Sequence, residues 1–405
     1  MNWVIHEKPP WKTVEWIQSP LSTTLSVPVI EYTDVWKHTT NEVVTKMKET
    51  IEYLDKTNRW ELAKKMANPY ELVYTQNDDN FPKSICMINP LSRSYFKMVE
   101  ILHICSFFKG VSNKIISAHV AEGPGGFIQG LYDTAEKNTK TIMHSIAMTL
   151  TPVNSQVPGW KKSYKFISKY KQLQIHYGED GTGNIYNTEN QRSYISEITK
   201  LGGAHIFTAD GGFDFSNDYS QQEMQIFHLL LSSATTGLRS LRKGGYFVLK
   251  IFDCASPHTK LLILFLSRCF QKWTLYKPAM TRPCNSEHYF VGVEMRTNMN
   301  NHNSTNTILT ILIQMEEEVT RGKYPNMDIT SIFTSEEIAY IEQHNSTSNQ
   351  IQIRHIQNAI YFANNPDVWK RECLKNVLTK SYEWCESFGV YARPSAMSLH
   401  TTTRQ

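Results

Sequence analysis

Residues 117–127 read SAHVAEGPGGF, an apolar run that breaks into Glu122-Gly123-Pro124-Gly125-Gly126 and resumes at Phe127 as an amphipathic helix. The pattern is that of a first strand, a tight turn and a first helix in an α/β nucleotide-binding domain. Such a turn takes glycines because the backbone must approach a ligand closely and adopt φ values that a Cβ forbids. Pro124 stiffens the loop. The spacing is not the G-x-G-x-x-G of a dinucleotide site, and no Lys-Ser/Thr pair follows, so a phosphate cradle is the weaker reading. A corner with a purely structural role is the other alternative.

Outward from this turn, residues 113–295 alternate strands and helices, the pattern of a doubly wound sheet. Strands are expected at 115–120, 141–148, 173–177, 204–209, 246–252, 273–277 and 288–294, with helices at 127–137 and around 261–270. Ser220-Gln221-Gln222-Glu223 reads as a capping box, and its helix should run through Leu229, Leu230 and Leu238 to Gly244-Gly245. The fourth strand ends in Asp210-Gly211-Gly212, which sets an acidic residue over the crevice where open α/β sheets place their chemistry. Lys250 lies near the carboxyl end of the fifth strand, where a buried lysine needs a purpose or a partner; Asp253 could be that partner. Glu287, at the start of the last strand, faces the same rim.

A helix starting near Ser92 carries Phe96, Val99, Leu102 and Phe107, with Lys97 beside its apolar face. A solvated surface lysine is the alternative there. In GWKKSYKFISKYK, residues 159–171, Lys161, Lys162, Lys165, Lys169 and Lys171 are interleaved with Trp160, Tyr164, Phe166 and Tyr170. Cations for phosphates and rings for bases suit a groove for single-stranded nucleic acid, and a solvated helix face over buried aromatics is the competing reading.

The 405 residues divide into an amino-terminal extension (1–88), the α/β domain (89–297) and a mainly helical carboxyl-terminal extension (298–405). Pro9, Pro10, Pro20 and Pro28 punctuate an extended arm. Thr39-Thr40-Asn41-Glu42 offers caps for a helix with Val43, Met47, Ile51 and Leu54 on one face, and Asp79-Asn80 with Pro82 break the chain again. Beyond Thr297, NMNNHNSTNT reads as a surface loop or linker. Thr334-Ser335-Glu336-Glu337 is a capping box, and Asp367 after Pro366 begins a helix through Trp369, Cys373, Val377 and Tyr382. Such terminal helices contact RNA, bind a partner or buttress the sheet, the last being their commonest fate.

Lys and Arg number 42 against 38 Asp and Glu, a net charge of +4 that says little unless the positive charge is clustered. Seven cysteines with no C-x-x-C pair read as reduced intracellular thiols, not as a disulfide framework or a zinc site. With no apolar signal core in MNWVIHEKPPWK and no run of about eighteen apolar residues, an intracellular, non-membrane protein of nucleus or cytoplasm is expected.

AEGPGGF, TADGGFDFS, GGYFVLKIF and RPCNSEHYFVG, in that order, resemble the FtsJ-like ribose 2′-O-methyltransferase family over about residues 90–295. The family's hallmark is a Lys-Asp-Lys-Glu tetrad on a Rossmann-like S-adenosylmethionine-dependent methyltransferase fold with a mostly parallel central sheet. Matched by motif, the tetrad falls on Lys97, Asp210, Lys250 and Glu287. The long flanks and the LSRSYFKM context resemble the messenger RNA cap 2′-O-methyltransferases of eukaryotes and large DNA viruses more than the compact ribosomal RNA enzymes.

The resemblance implies S-adenosylmethionine as cofactor, 5′-capped messenger RNA as substrate, and a partner in capping or transcription machinery. Glu122, Gly123, Pro124, Gly125, Gly126 and Phe127 would hold the cofactor, with Asp210 facing the methyl donor. An acid opening a glycine turn does suit a ligand with a sulfonium, an amino acid and a nucleoside. Lys250 would be the base toward the ribose hydroxyl, its pKa lowered by burial and by Lys97, while Asp210 and Glu287 orient the lysines and balance their charge. No metal is needed, and no His/Cys ligand cluster argues for one. The sequence departs from the pattern at Ala147-Met148-Thr149, where many such folds place an acid for the cofactor ribose; by position the adenine-side acid falls on Asp180, with Glu179 competing. A pocket for the methylated guanine would stack it between rings that the sequence does not single out. The rivals are a ribosomal or transfer RNA ribose methyltransferase and a catalytically silent RNA- or partner-binding subunit. A dehydrogenase is disfavoured by the missing G-x-G-x-x-G.

Overall fold

The computed structural model describes residues 7–19, 30–37, 42–75, 81–152, 159–212, 222–296 and 306–394. Pro20, Pro28, the Thr39–Asn41 caps, Asp79-Asn80, Ser220-Gln221 and residues 298–305 of the asparagine-rich stretch lie outside these. The arm contributes β1 (Ile17–Gln18), where Ile17 pairs antiparallel with Trp273 and Gln18 with Lys272, and β2 (Glu31–Thr33). In α1 (Glu42–Lys56) three of the expected face's residues pack as expected, Leu54 buried and Met47 and Ile51 beside Trp60 and Ala63, while the Val43 side chain lies outside the described residues. These two belong to a helix the sequence reading missed, α2 (Trp60–Met66).

The helix expected from Ser92 to beyond Phe107 is two helices, α3 (Ser94–Ile104) and α4 (Phe107–Gly110). Ser106 is left-handed (φ 51°), and the break turns the Phe107 ring onto Tyr246 at 4.9 Å. The alternating region then runs β3 (Lys114–Val120), α5 (Gly126–Lys137), β4 (Thr141–Met148), α6 (Tyr164–Lys169), β5 (Leu173–His176), α7 (Thr188–Lys200), β6 (Ala204–Ala209) and α8 (Gln222–Ser240). It continues with β7 (Leu241–Ile251), α9 (Pro257–Arg268), β8 (Phe270–Tyr276) and β9 (His288–Met295). After it come α10 (Asn306–Thr320), β10 (Tyr324–Asn326), α11 (Ser335–Asn364), α12 (Pro366–Val368) and, past a π-helical turn at Trp369–Cys373, α13 (Leu374–Ser387).

The eight-stranded sheet has the order β1-β8-β9-β7-β6-β3-β4-β5. Strands β3 to β7 are mutually parallel, and β9 runs antiparallel between β7 and β8. The chain moves from β3 outward to β4 and β5, then returns to lay β6 on the other side of β3. That reversal opens a crevice beyond the carboxyl ends of β3 and β6, the place where open α/β sheets take ligands. Gly244-Gly245 do not end a helix: α8 stops at Ser240, and the glycines sit within β7 beside a register shift against β6. Gly244 takes φ +77°, and a Cβ on Gly245 would lie 2.8 Å from the Arg242 carbonyl oxygen.

The carboxyl-terminal helices close over the sheet. The capping box at Thr334 forms, with Glu337 Oε2 accepting from the Thr334 amide at 2.9 Å. Trp369, Cys373 and Val377 are buried in one core with Phe96, and Trp384 Nε1 donates to Glu100 Oε2 at 2.7 Å, so α13 is bolted to α3. Among the described residues no helix is long and apolar enough to cross a membrane.

Candidate active site

Strand register decides what meets at the crevice. Ala209 pairs with Leu249, which brings the next residue, Asp210, beside Lys250. Lys250 in turn pairs with Tyr289 on β9, and the two-residue alternation of a strand puts Glu287 on the same face as Tyr289. Lys97 arrives from α3, which lies close on α5 because Gly130 has no side chain; a Cβ there would stand 2.8 Å from the Tyr95 carbonyl oxygen.

These residues join into one chain of contacts. Lys250 Nζ lies 2.7 Å from the Asp210 carbonyl oxygen and 3.3 Å from its Oδ1. The Tyr289 hydroxyl reaches Asp210 Oδ1 at 2.8 Å and Glu287 Oε1 at 2.9 Å, so one phenolic proton spans two carboxylates. Glu287 Oε1 also receives the Lys97 ammonium and, at 3.3 Å, the Thr281 hydroxyl. Lys97 is therefore a buried, paired lysine and not a solvated one. Asp253 is not the partner of Lys250. It bonds Ser286, and burial pushes its carboxyl up to about 6.

Sequence reasoning missed Tyr289, although its place two residues after Glu287 on a strand was a usable signal. It also missed Lys277, whose Nζ holds the carbonyls of Asn285 at 2.6 Å and Glu287 at 3.1 Å and so pins the loop carrying Glu287. Burial pulls Lys277 down to about 8.

The electrostatics correct one expectation. Burial lowers the pKa of Lys250, but the Asp210 carboxylate and then Glu287 outweigh it and hold the ammonium above its ordinary value. Lys97 is itself paired with Glu287. Burial alone would raise Glu287, yet Lys97 and then Lys250 keep it well below the carboxylate range.

The glycine turn closes the other side of the crevice. Gly125 caps α5 at φ +98°, with its amide 2.5 Å from the Glu122 carbonyl oxygen and Trp160 3.4 Å from where a Cβ would be. Gly123 and Pro124 form the bend, and the buried Phe127 lays its ring 5.6 Å from that of Tyr289. Glu122 is 3 % exposed. Its Oε1 takes the Thr208 hydroxyl, while Oε2 is buried without a partner among the described residues. Burial and then Asp210 push this carboxyl well up. An orphaned carboxyl oxygen in a turn without side chains is an acceptor that the amino or hydroxyl group of a ligand would satisfy, so these residues fit S-adenosylmethionine.

Asp180 lies in the loop after β5. Its exposed carboxylate builds its own loop, with Oδ1 taking the Thr182 amide and hydroxyl at 2.9 and 2.7 Å and Asn190 Nδ2 at 2.9 Å, and Oδ2 taking Asn187 Nδ2 at 2.9 Å. Those bonds hold it below the carboxylate range. Glu179 beside it is exposed. In the basic segment, Phe166 and Tyr170 pack on Tyr132 at 5.6 and 4.6 Å, whereas Tyr164 is 74 % exposed and Lys161, Lys162, Lys165 and Lys171 face water.

Residues 90–295 match the model of the family described as FtsJ-like methyltransferase. The chain is 31 % identical to the cap-specific mRNA (nucleoside-2′-O-)-methyltransferase 1 of Dictyostelium discoideum over 60 % of this chain and 33 % of that protein. The proteins of the same name from Xenopus laevis and Homo sapiens are 25 % and 33 % identical, over 77 % and 43 % of this chain and 38 % and 21 % of their own lengths. The chain thus spans about a third of the curated relatives it matches. With half its length under that family model, the chain belongs to the FtsJ-like methyltransferase family.

Proposed function

We propose that this chain transfers a methyl group from S-adenosylmethionine to a ribose 2′-hydroxyl of RNA, at the first transcribed nucleotide of a capped messenger RNA. The observation that carries the reading is the linked set Lys97, Glu287, Tyr289, Asp210 and Lys250 beside the glycine turn. S-adenosylmethionine, when bound, supplies a methyl on a cationic sulfur. Glu122, Gly123, Pro124, Gly125, Gly126 and Phe127 would hold it, with Asp210 at the methyl-donor side and Asp180 at the adenine side.

A ribose hydroxyl is a weak nucleophile near neutral pH and must be positioned and relieved of its proton. Lys250, in its neutral form, would take that proton on Nζ, and the methyl, on bonding to the ribose oxygen, would leave its sulfur as a neutral thioether. Because Asp210 favours the ammonium, the competent neutral form is a minority at neutral pH and grows about tenfold per pH unit below the lysine pKa. Glu287 and Tyr289 hold Lys97 and Asp210 in place, and Lys97 offers its remaining N–H donors to the substrate oxygen. The cap specificity is supported by the named relatives and the long flanks shared with them.

Transfer of labelled methyl tests this on three RNAs: cap-methylated, uncapped, and capped but already 2′-O-methylated at its first nucleotide. Transfer to the first alone is expected. Transfer regardless of the cap would make this a structural-RNA enzyme, and none to any of the three would reject catalysis.

A further inference from the structure

Outside the crevice, beside the amino-terminal end of α3, Lys83 and Arg393 line a cavity of about 370 Å3 together with Tyr74, Ser84 and Asn89. Both cations are exposed, and neither has a carboxylate partner among the described residues. The walls are held by main-chain bonds. The Arg393 amide donates to the Ile85 carbonyl at 2.7 Å, the Met87 amide to Tyr391 at 2.8 Å, and Cys86 bridges Ala392. Ser84 Oγ clasps the opposite wall, donating to the Thr75 carbonyl at 3.0 Å and accepting from its amide at 2.8 Å. The Tyr74 ring rests on Phe96 at 5.4 Å, and Phe96 precedes Lys97 in α3.

The cavity is also tied to the reaction centre through Arg93. Its Nη1 donates to the Tyr74 carbonyl at 2.6 Å and its Nε to the Met280 carbonyl at 2.8 Å, next to Thr281, which bonds Glu287. Arg93 therefore bonds both the cavity wall at Tyr74 and the segment that reaches Glu287. A backed ring, an amide edge and two cations that no carboxylate among the described residues neutralises, in a volume within the range that takes a small ligand, match the chemistry of one nucleotide of a single strand.

We infer that this cavity receives a nucleotide of the RNA strand flanking the methylated ribose, with its base against Tyr74 and its phosphate between Lys83 and Arg393. The inference rests on the RNA reading proposed above. It adds a reason for substrate length to matter, because a minimal capped dinucleotide would leave the cavity unfilled whereas a longer strand would fill it.

The test compares wild-type protein with K83A/R393A and Tyr74→Leu on capped RNAs of two and about eight nucleotides, alongside equilibrium binding of a labelled eight-nucleotide RNA at several salt concentrations. In the wild type the longer RNA should have the lower KM. K83A/R393A should erase that advantage, with KM for the longer RNA rising about tenfold, and should reduce the salt slope of binding by about 0.7, the value for one lost phosphate contact on a single strand. Lys83→Arg with Arg393 intact should keep the advantage. Both cations are exposed, so the double variant should fold. An unchanged length dependence and salt slope in K83A/R393A would overturn the inference. Wild-type protein that binds the RNA with this slope but transfers no methyl would sink the proposed reaction and leave the cavity standing, whereas wild type that binds no RNA would remove both.

Discussion

Tyr289→Phe removes one oxygen from the centre of the candidate site and little else. The hydroxyl is the donor shared by Asp210 at 2.8 Å and Glu287 at 2.9 Å, and it links the half of the site holding Lys250 to the half holding Lys97. Burial, with Asp210 and Glu287 beside it, pushes the phenol well above its ordinary value, so it stays protonated throughout any practical assay range. The ring is fully buried against Phe127, and phenylalanine keeps that packing, so folding should survive. A hydrogen bond to a charged acceptor contributes about 1.5–3 kcal/mol. If that is lost where the lysines must be aimed, kcat should fall roughly 10- to 100-fold at about 1.4 kcal/mol per decade. Single-turnover methyl transfer, cofactor affinity and a melting curve would be measured together. The expected pattern is a large fall in the transfer rate with the other two near wild type. A rate within twofold of wild type would refute the idea that the shared proton orders the site, and a matching loss of cofactor binding would move its role to the glycine turn.

Lys250→Ala should abolish methyl transfer while leaving S-adenosylmethionine binding nearly intact; substantial turnover would remove Lys250 as the base. In the wild type, the transfer rate should climb as pH rises through the alkaline range, because burial of Lys250 is outweighed by Asp210 and the neutral amine is scarce; a rate independent of pH between 7 and 9 would speak against that proton transfer. K161A/K162A should weaken RNA binding and flatten its salt dependence if the exposed lysines track phosphates, and an unchanged slope would return the segment to a solvated face. Glu100, fully buried, is pushed up to about 7 by burial against the bonds from Trp384, Tyr276 and the Ala279 amide. An acid whose folded pKa lies above its unfolded value adds stability that is complete below about 4.5 and lost as pH rises through 7, on the order of 3 kcal/mol in all. Urea midpoints should therefore decline between pH 5 and 8 and decline less in Glu100→Gln; parallel curves for the two proteins would contradict this.

What the sequence determined by itself was the succession of elements. Apolar runs bounded by glycine, a capping box and the period of a helix face are relations between near neighbours in the chain, and strands 141–148 and 204–209 follow from them to the residue. The same local logic placed Asp210, Lys250 and Glu287 at strand ends. It failed where a choice depends on what lies across the sheet. Gly244-Gly245 look like a helix stop in the chain but belong to an irregular strand, because the pairing of β7 with β6 extends back to Leu241. Tertiary structure alone decided that Lys97 is buried on Glu287, that Tyr289 joins two carboxylates, and that Lys250 sits as a favoured ammonium. Each of these is set by strand register and by helix α3 closing on Gly130, contacts between residues far apart in sequence whose charges and hydrogen bonds act only once the sheet has brought them within a few ångströms.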